Sequence, residues 1–273
     1  MGSTETMGSI KLIGWDIPMT FGTSLDRATA LVVGANGGIG LGFVKQLLGD
    51  RRFERVYGTY RRPSTATNLL ALADHDPHLT PLCLDITDEA AIAAVIDQIR
   101  TQSPQLQLAL YCVGLLHDAS LQPEKSLAQI QPDHLLRSFQ VNALGAALLA
   151  KHLLPLLKHD RPSVYAAISA KVGSIGDNQL GGWYGYRAAK AALNMLIKTA
   201  ALEYARKSPQ TILTLLHPGT TDTPFSEPFQ RGVPPAKLFP VDRTVTQLMT
   251  VIDGLEPGQS GSFLNWDGQP LPW

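Results

Sequence analysis

Net charge is the first thing this chain lacks. Its 23 basic side chains are matched by 23 acidic ones. A protein that gripped a phosphate backbone or an anionic bilayer by electrostatics would carry a basic excess. Nucleic acid and membrane surfaces are therefore not expected partners, and a small, neutral or weakly charged molecule is. Cysteine is scarce as well. Cys83 and Cys112 each sit in an apolar, strand-like run, PLCLDI and LALYCVG. They read as buried reduced thiols of a cytoplasmic protein rather than as a disulfide. No uncharged apolar run reaches the length of about 18 residues that a membrane span requires. The longest candidate, VNALGAALLAKHLLPLL, is interrupted by Lys151, His152 and Pro155. The opening MGSTETMGSIK has no apolar core behind a basic start, so no secretory signal is read there. Residues 1–27 are set apart as an N-terminal arm, read either as partly a cloning remnant or as a loose arm. His, Cys and Asp nowhere cluster at metal-ligand spacing, and no metal is expected.

What is present is a regular alternation. About 44% of the 273 residues are hydrophobic, enough for one large core. Short apolar runs read as strands over 28–34, 55–60, 79–85, 107–114, 163–169, 211–217 and 261–265. Helical patterns lie between them: one opening at IGLGFVKQLLGD, a weak one over 64–74, DEAAIAAVIDQIR capped by Asp88, and long ones over 132–158 and 183–207. Alternating strands and helices predict one parallel sheet with helices on both faces. Continuously apolar strands fit a sheet buried on both sides. The expected fold is thus a single-domain, doubly wound α/β sheet of the Rossmann type with about seven strands, over 28–273. The Pro-rich stretch TPFSEPFQRGVPPAKLFP (223–240) is the one long irregular segment, and is read as a substrate loop of about 222–240. It follows the carboxyl end of a strand, where ligands bind in such sheets.

VVGANGGIGLG joins the first strand to the first helix, with glycines at Gly34, Gly38 and Gly40. The spacing is not G-x-G-x-x-G, but the physics is shared. Gly34 permits a sharp turn, Gly38 lets the backbone approach a pyrophosphate, and Gly40 lets helix and strand pack closely. Asn36 and Ile39 belong to the same cradle. The helix start adds free N–H groups and a positive dipole end. An NAD-type ribose is held by an acid about 20 residues further on. That position carries Tyr60, Arg61 and Arg62 instead. Two guanidinium groups suit a 2′-phosphate, so NADP(H) is expected over NAD(H). Asp85, with Ile86 beside it, closes the third strand and is placed to accept from an adenine amino group.

Tyr186 and Lys190 stand at i and i+4, on one helix face. A phenol titrates near ~10. An ammonium about 4 Å away contributes about 4 kcal/mol at an effective dielectric of about 20. That lowers the phenol's pKa by up to about 3 before desolvation takes some back. A tyrosine so tuned can hand a proton to a carbonyl oxygen or take one from an alcohol.

Taken with the glycine loop, this pair makes the chain resemble the short-chain dehydrogenase/reductase family over roughly residues 28–265. Gly34, Gly38 and Gly40 match the family's GxxxGxG, and Tyr186 and Lys190 its YxxxK. The resemblance places Asn142, in VNALG, at the family asparagine, which holds a water linking the lysine to solvent. It places Pro218, Gly219, Thr221 and Thr223, in HPGTTDT, along the nicotinamide and pyrophosphate. Within the family, SAKVGSIGDNQLGGWYGYRAAKAALN and GSFLNWDGQPLPW resemble the C-factor and sniffer-like carbonyl reductases. This implies NADPH-dependent carbonyl reduction, with a signalling role in the C-factor branch.

Three departures stand out. The family's NNAG is YCVG here, keeping only Gly114; the threonine ahead of the glycine loop is Val33; and Ala170 stands where the catalytic serine aligns. A lost donor to the substrate oxygen would cost about 3 kcal/mol. Ser174 is placed ahead of Ser169 as its replacement, because adjacent strand residues face opposite sides; in a third arrangement Tyr186 works without a serine. Trp183, Tyr184, Phe225 and Phe229 read as pocket walls for a hydrophobic aldehyde or ketone, or as ordinary packing. His117 reads as a polar loop residue near the site. The expected activity is an NADP(H)-dependent carbonyl–alcohol oxidoreductase. The alternative is a cofactor-binding regulatory protein with weak or no turnover. The helices near 132–158 and 183–207 offer a homodimer face, although their apolar stripes are equally needed against the sheet.

Overall fold

The computed structural model describes residues 9–12, 15–18 and 20–273. Residues 1–8, and with them most of the segment read as a cloning remnant without a secretory signal, lie outside that set. Strands β1 (Ser9–Leu12) and β2 (Trp15–Pro18) pair antiparallel. The chain then runs β3 (Ala28–Val33), α1 (Gly38–Gly49), β4 (Phe53–Tyr60), α2 (Thr67–His75), β5 (Leu79–Cys83), α3 (Glu89–Gln102) and β6 (Leu108–Tyr111). A continuous helical run follows: α4 (Pro132–Phe139), a π turn (Gln140–Leu144) and α5 (Gly145–Leu157). Next come β7 (Ser163–Ile168), α6 (Tyr184–Lys207), β8 (Thr211–His217), β9 (Thr220–Thr221), β10 (Leu238–Phe239), α7 (Val241–Asp253) and β11 (Ser262–Asn265).

The main sheet has seven parallel strands in the order β11-β8-β7-β6-β3-β4-β5. All six residues of β3 are buried, and so are all six of β7. Alternation sends them to two cores. Leu31 and Val33 face the side covered by α3, α5 and α6, while Ala30 and Val32 face the side covered by α1 and α7. The chain leaves β3 for β4 and β5 on one side, then returns to place β6 on the other. That reversal opens a crevice beyond the carboxyl ends of β3 and β6, where doubly wound sheets bind ligands.

Several sequence-based expectations need correction. The packed domain begins ahead of residue 28: Phe21 is 1% exposed and its N–H donates to Leu255 O. Phe21 and Leu25 stand among Thr, Gly and Ser and carry no readable period. Helix α7 is an element the strand-and-helix reading omitted. Val241, Val245, Leu248, Met249 and Ile252 recur at helical spacing, and α7 lies close on α1 because a Cβ at Gly42 would meet Val241 Cγ1 at 2.6 Å. The strand read over 107–114 ends at Tyr111, leaving Cys112–Gly114 as the loop that floors the crevice. Cys83 is exposed rather than buried, because β5 is an edge strand. The segment after β8 is also less irregular than its prolines suggest. β9 and β10 pair in parallel and tie its two ends together. The run Pro132–Leu157 is long and apolar enough to cross a bilayer by composition, yet 56% of its most apolar window is buried inside the protein.

Candidate active site

The crevice is a cleft of about 1200 Å³. At one end lies the glycine loop. Gly34 has φ +86° and Gly38 φ +51°, a region that favours glycine. A Cβ on Gly40 would sit 2.1 Å from Gly34 O, so α1 starts in direct contact with the turn. Gly40 itself packs beneath the cleft, whereas Gly34, Asn36, Gly38 and Ile39 line it. Thr59, a residue the sequence reading passed over, holds this loop from β4. Its Oγ1 accepts from Gly34 N at 3.1 Å, and its carbonyl accepts from Ala35 N at 2.8 Å. It supplies a hydroxyl beside the loop where Val33 has none.

An anionic cofactor fits this end on two observations. The N-terminus of α1 carries no side-chain cap and no acid in its first turn, so its first N–H groups remain for a ligand. Tyr60, Arg61 and Arg62 line the cleft at the end of β4. Asp85 and Ile86 line it at the end of β5. Burial would raise the Asp85 carboxyl, but hydrogen bonds from Thr87 N and Oγ1 and the Arg61 charge bring it below the usual carboxylate range. Thr87 engages Oδ1 and leaves Oδ2 for an incoming donor.

Tyr186 and Lys190 enter the cleft from α6, with Gly114, Pro218, Gly219, Thr221 and Thr223 around them. Lys190 is 2% exposed, and its Nζ donates to Ile168 O at 2.8 Å. The expected acidification of the phenol is not what this arrangement produces. Burial pushes Tyr186 above the ordinary phenol range. Burial also draws Lys190 down to about 7, with only the nearby Cys112 opposing it. The ammonium lies 5.7 Å from the Tyr186 ring centre, and its hydrogen bond goes to the sheet rather than to the phenol oxygen. Desolvation therefore dominates both groups. The Cys112 thiol is itself pushed up to about 12 by burial, partly offset by Lys190.

Of the two serines, Ser174 is not in the cleft. Its Oγ donates to Trp273 O at 3.2 Å and accepts from Asp177 N at 3.1 Å, so the loop folds it toward the chain's last residue. Ser169 does line the cleft, but its Oγ donates to Asn194 Oδ1 at 2.6 Å. Ala170 lines the cleft beside it. Asn142 lies below the cleft in the π turn and is fully buried. Its amide donates to Leu115 O at 2.8 Å and to Ser138 O at 3.0 Å, while its Oδ1 accepts from Leu115 N at 2.9 Å. That side chain is spent on the loop after β6. The π turn is held further by Tyr111, whose hydroxyl donates to Val141 O at 2.6 Å.

The far wall is aromatic. Trp183 packs edge-on against Phe229 at 5.0 Å and against Tyr186 at 6.3 Å, and Phe225 sits 6.1 Å from Tyr186. His117 closes the ring of contacts, 5.5 Å from Phe229, with Nε2 at 3.1 Å from Phe225 O. Tyr184, grouped with these walls in the sequence, does not line the cleft. His217 does, at the end of β8, and its Nδ1 is buried without a hydrogen-bond partner. Burial first, and the Lys171 charge second, draw its pKa down to about 4. HPGTTDT pointed to this strand end, but the histidine itself carried no spacing that marked it.

A doubly wound sheet with a glycine turn, an uncapped helix start and a Tyr–Lys pair over one cleft defines a dinucleotide-dependent oxidoreductase. The chain belongs to the short chain dehydrogenase family, whose model matches residues 28–233. It is 34% identical over 148 residues to the C-signal of Myxococcus xanthus, covering 54% of this chain and 84% of that protein. It is 31% identical over 259 residues to the short-chain dehydrogenase srdF of Neurospora crassa, covering 91% of this chain and 98% of that one. Among solved structures, the NADPH-bound carbonyl reductase from chicken fatty liver superposes with a TM-score of 0.80 at 29% identity, covering 91% of this chain and 100% of that chain. Membership of an enzyme family does not favour the regulatory alternative.

Proposed function

We propose that this oxidoreductase interconverts an apolar aldehyde or ketone and its alcohol with NADP(H), using Tyr186 as general acid and base. The observation that carries it is the placement of Tyr186 and Lys190 on one turn of α6, inside a cleft whose other end is basic and uncapped. Arg61 and Arg62 support the preference for a 2′-phosphate, as does the likeness to a carbonyl reductase that binds NADPH. When bound, the dihydronicotinamide supplies hydride to the carbonyl carbon. The glycine loop and α1 would hold the pyrophosphate, and Lys190 has N–H groups left for the nicotinamide ribose.

A phenol that burial keeps protonated at neutral pH is ready to donate to a carbonyl oxygen. Carbonyl reduction uses the protonated phenol present near pH 7, and oxidation, which needs the phenolate, should climb with pH. Trp183, Phe225 and Phe229 would exclude water and seat an apolar or aromatic substituent. Ser174 lies outside the cleft and the Ser169 hydroxyl is bonded to Asn194, so Tyr186 would donate to the carbonyl without help from either. The test is a panel of carbonyl compounds followed by dihydronicotinamide absorbance, with NADPH and NADH in parallel. Turnover is expected with NADPH. Tyr186→Phe should lose about 10²–10⁴-fold in kcat, with NADPH affinity kept. Unchanged kcat in that variant refutes the role of the phenol, and a preference for NADH refutes the reading of the arginines.

A further inference from the structure

We infer that Glu124, a residue outside the cleft, positions the catalytic phenol by holding the first turn of α6. This rests on the assignment of Tyr186 above.

Glu124 lies in the segment between β6 and α4 and is 6% exposed. Among the ion pairs of the described residues, none includes it. A buried carboxyl group needs a hydrogen-bond partner. Both its side chain and its backbone carbonyl meet the start of the catalytic helix. Glu124 Oε2 accepts from Gly185 N at 3.0 Å, and Glu124 O accepts from Trp183 N at 2.5 Å. Helix α6 has no cap of its own, because Trp183 offers no acceptor. Glu124 caps it from another segment, where the helix dipole favours a negative group.

The turn it helps to hold, with Arg187 Nε donating to Gly181 O and Gly182 O at 3.2 and 3.0 Å, is a strained one. Gly181, Gly182 and Trp183 have φ of +65°, +66° and +53°, three left-handed residues in succession. Glycine takes that conformation freely, while tryptophan resists it. The reward is the direction of the Trp183 ring, which meets Tyr186 and Phe229 edge-on. Gly185, next to Tyr186, leaves room for the carboxylate: a Cβ there would sit 3.0 Å from Glu124 Oε1. Glu124 does not line the cleft and so touches no substrate. It acts through Trp183 and Tyr186.

The experiment compares Glu124→Gln, which keeps an acceptor for Gly185 N, with Glu124→Met, which keeps length but not the acceptor. Kinetics with NADPH and one aromatic aldehyde, NADPH affinity by fluorescence, and hydrogen exchange of the 181–190 stretch are measured on each. Glu124→Met is expected to lose about 10–100-fold in kcat, as a small misplacement of a reacting group does. Its NADPH affinity should be unchanged, and its Gly185 amide should exchange at least about tenfold faster. Glu124→Gln should stay near wild type in all three. Wild-type kcat and Gly185 protection in Glu124→Met overturn the proposal, and so does an equal loss in both variants. If Glu124→Met does not fold, Gly185→Ala replaces it, since its added carbon crowds the same carboxylate; an unchanged kcat there overturns the proposal too. A wild type that turns over no carbonyl refutes the phenol's role instead, and the exchange data then decide whether Glu124 holds the turn.

Discussion

In the proposed reaction, Ala170 supplies no hydroxyl to the carbonyl oxygen. It is extended, with φ −148° and ψ 142°, and lines the cleft. A hydroxyl placed there would add the donor that a site of this kind is worth about 10²–10³-fold for possessing. Ala170→Ser is therefore expected to raise kcat by about tenfold or more, measured on whichever carbonyl the wild type reduces best. No gain would mean that position 170 does not face the reacting oxygen. The Tyr186–Lys190 pair could be read in the sequence because its four-residue spacing is a property of any helix. The true fate of Ser174 could not. Its partner is the carbonyl of Trp273, 99 residues away, and no local pattern announces that contact. The direction of the Tyr186 shift is hidden from the sequence for a similar reason: pair attraction follows from spacing, whereas the depth of burial follows from the whole fold.

The helical run 132–157 shows what one extra residue in a turn can do. The π turn Gln140–Leu144 shifts the helix register and puts Asn142 against Leu115, beneath the loop that floors the cleft. Such turns are frequent at functional sites. Asn142→Ala removes four hydrogen bonds and strands the N–H and C=O of Leu115. A cost of about 3 kcal/mol is expected, or about 6–12 °C in Tm for a domain of this size, read by calorimetry. NADPH affinity should fall with it as the 112–116 loop relaxes. Strands and helices were largely legible because alternation and helical periodicity are local. The π turn was not, since a one-residue slip leaves the apolar pattern almost intact. Helix α7 had the right periodicity, but it follows a proline-rich segment that draws the eye to the loop.

Across the whole molecule, the buried bases contribute to the pH dependence of stability. Lys190 titrates near 7 in the native state against an ordinary 10.5. Between those values the unfolded chain holds a proton that the native chain has shed, so stability climbs with pH through that window. Below 7 both states are charged, and the cost of burying the ammonium is carried in full. His217 acts in the same sense between about 4 and 6.5. Lys190→Met should therefore raise Tm most at pH 6, with a gain that shrinks toward pH 9, followed by calorimetry across that range. A constant gain would mean that Lys190 stays charged in the folded protein throughout. The two thiols divide in the same manner, by depth. Cys112 is held protonated in the cleft floor, whereas Cys83 sits exposed at the end of β5, its sulfur 3.5 Å from Arg61 O. A maleimide dye would thus attach at one place, against the backbone of Arg61, the residue proposed to meet the cofactor's 2′-phosphate, and its emission would report nucleotide arrival without a mutation or an engineered tag.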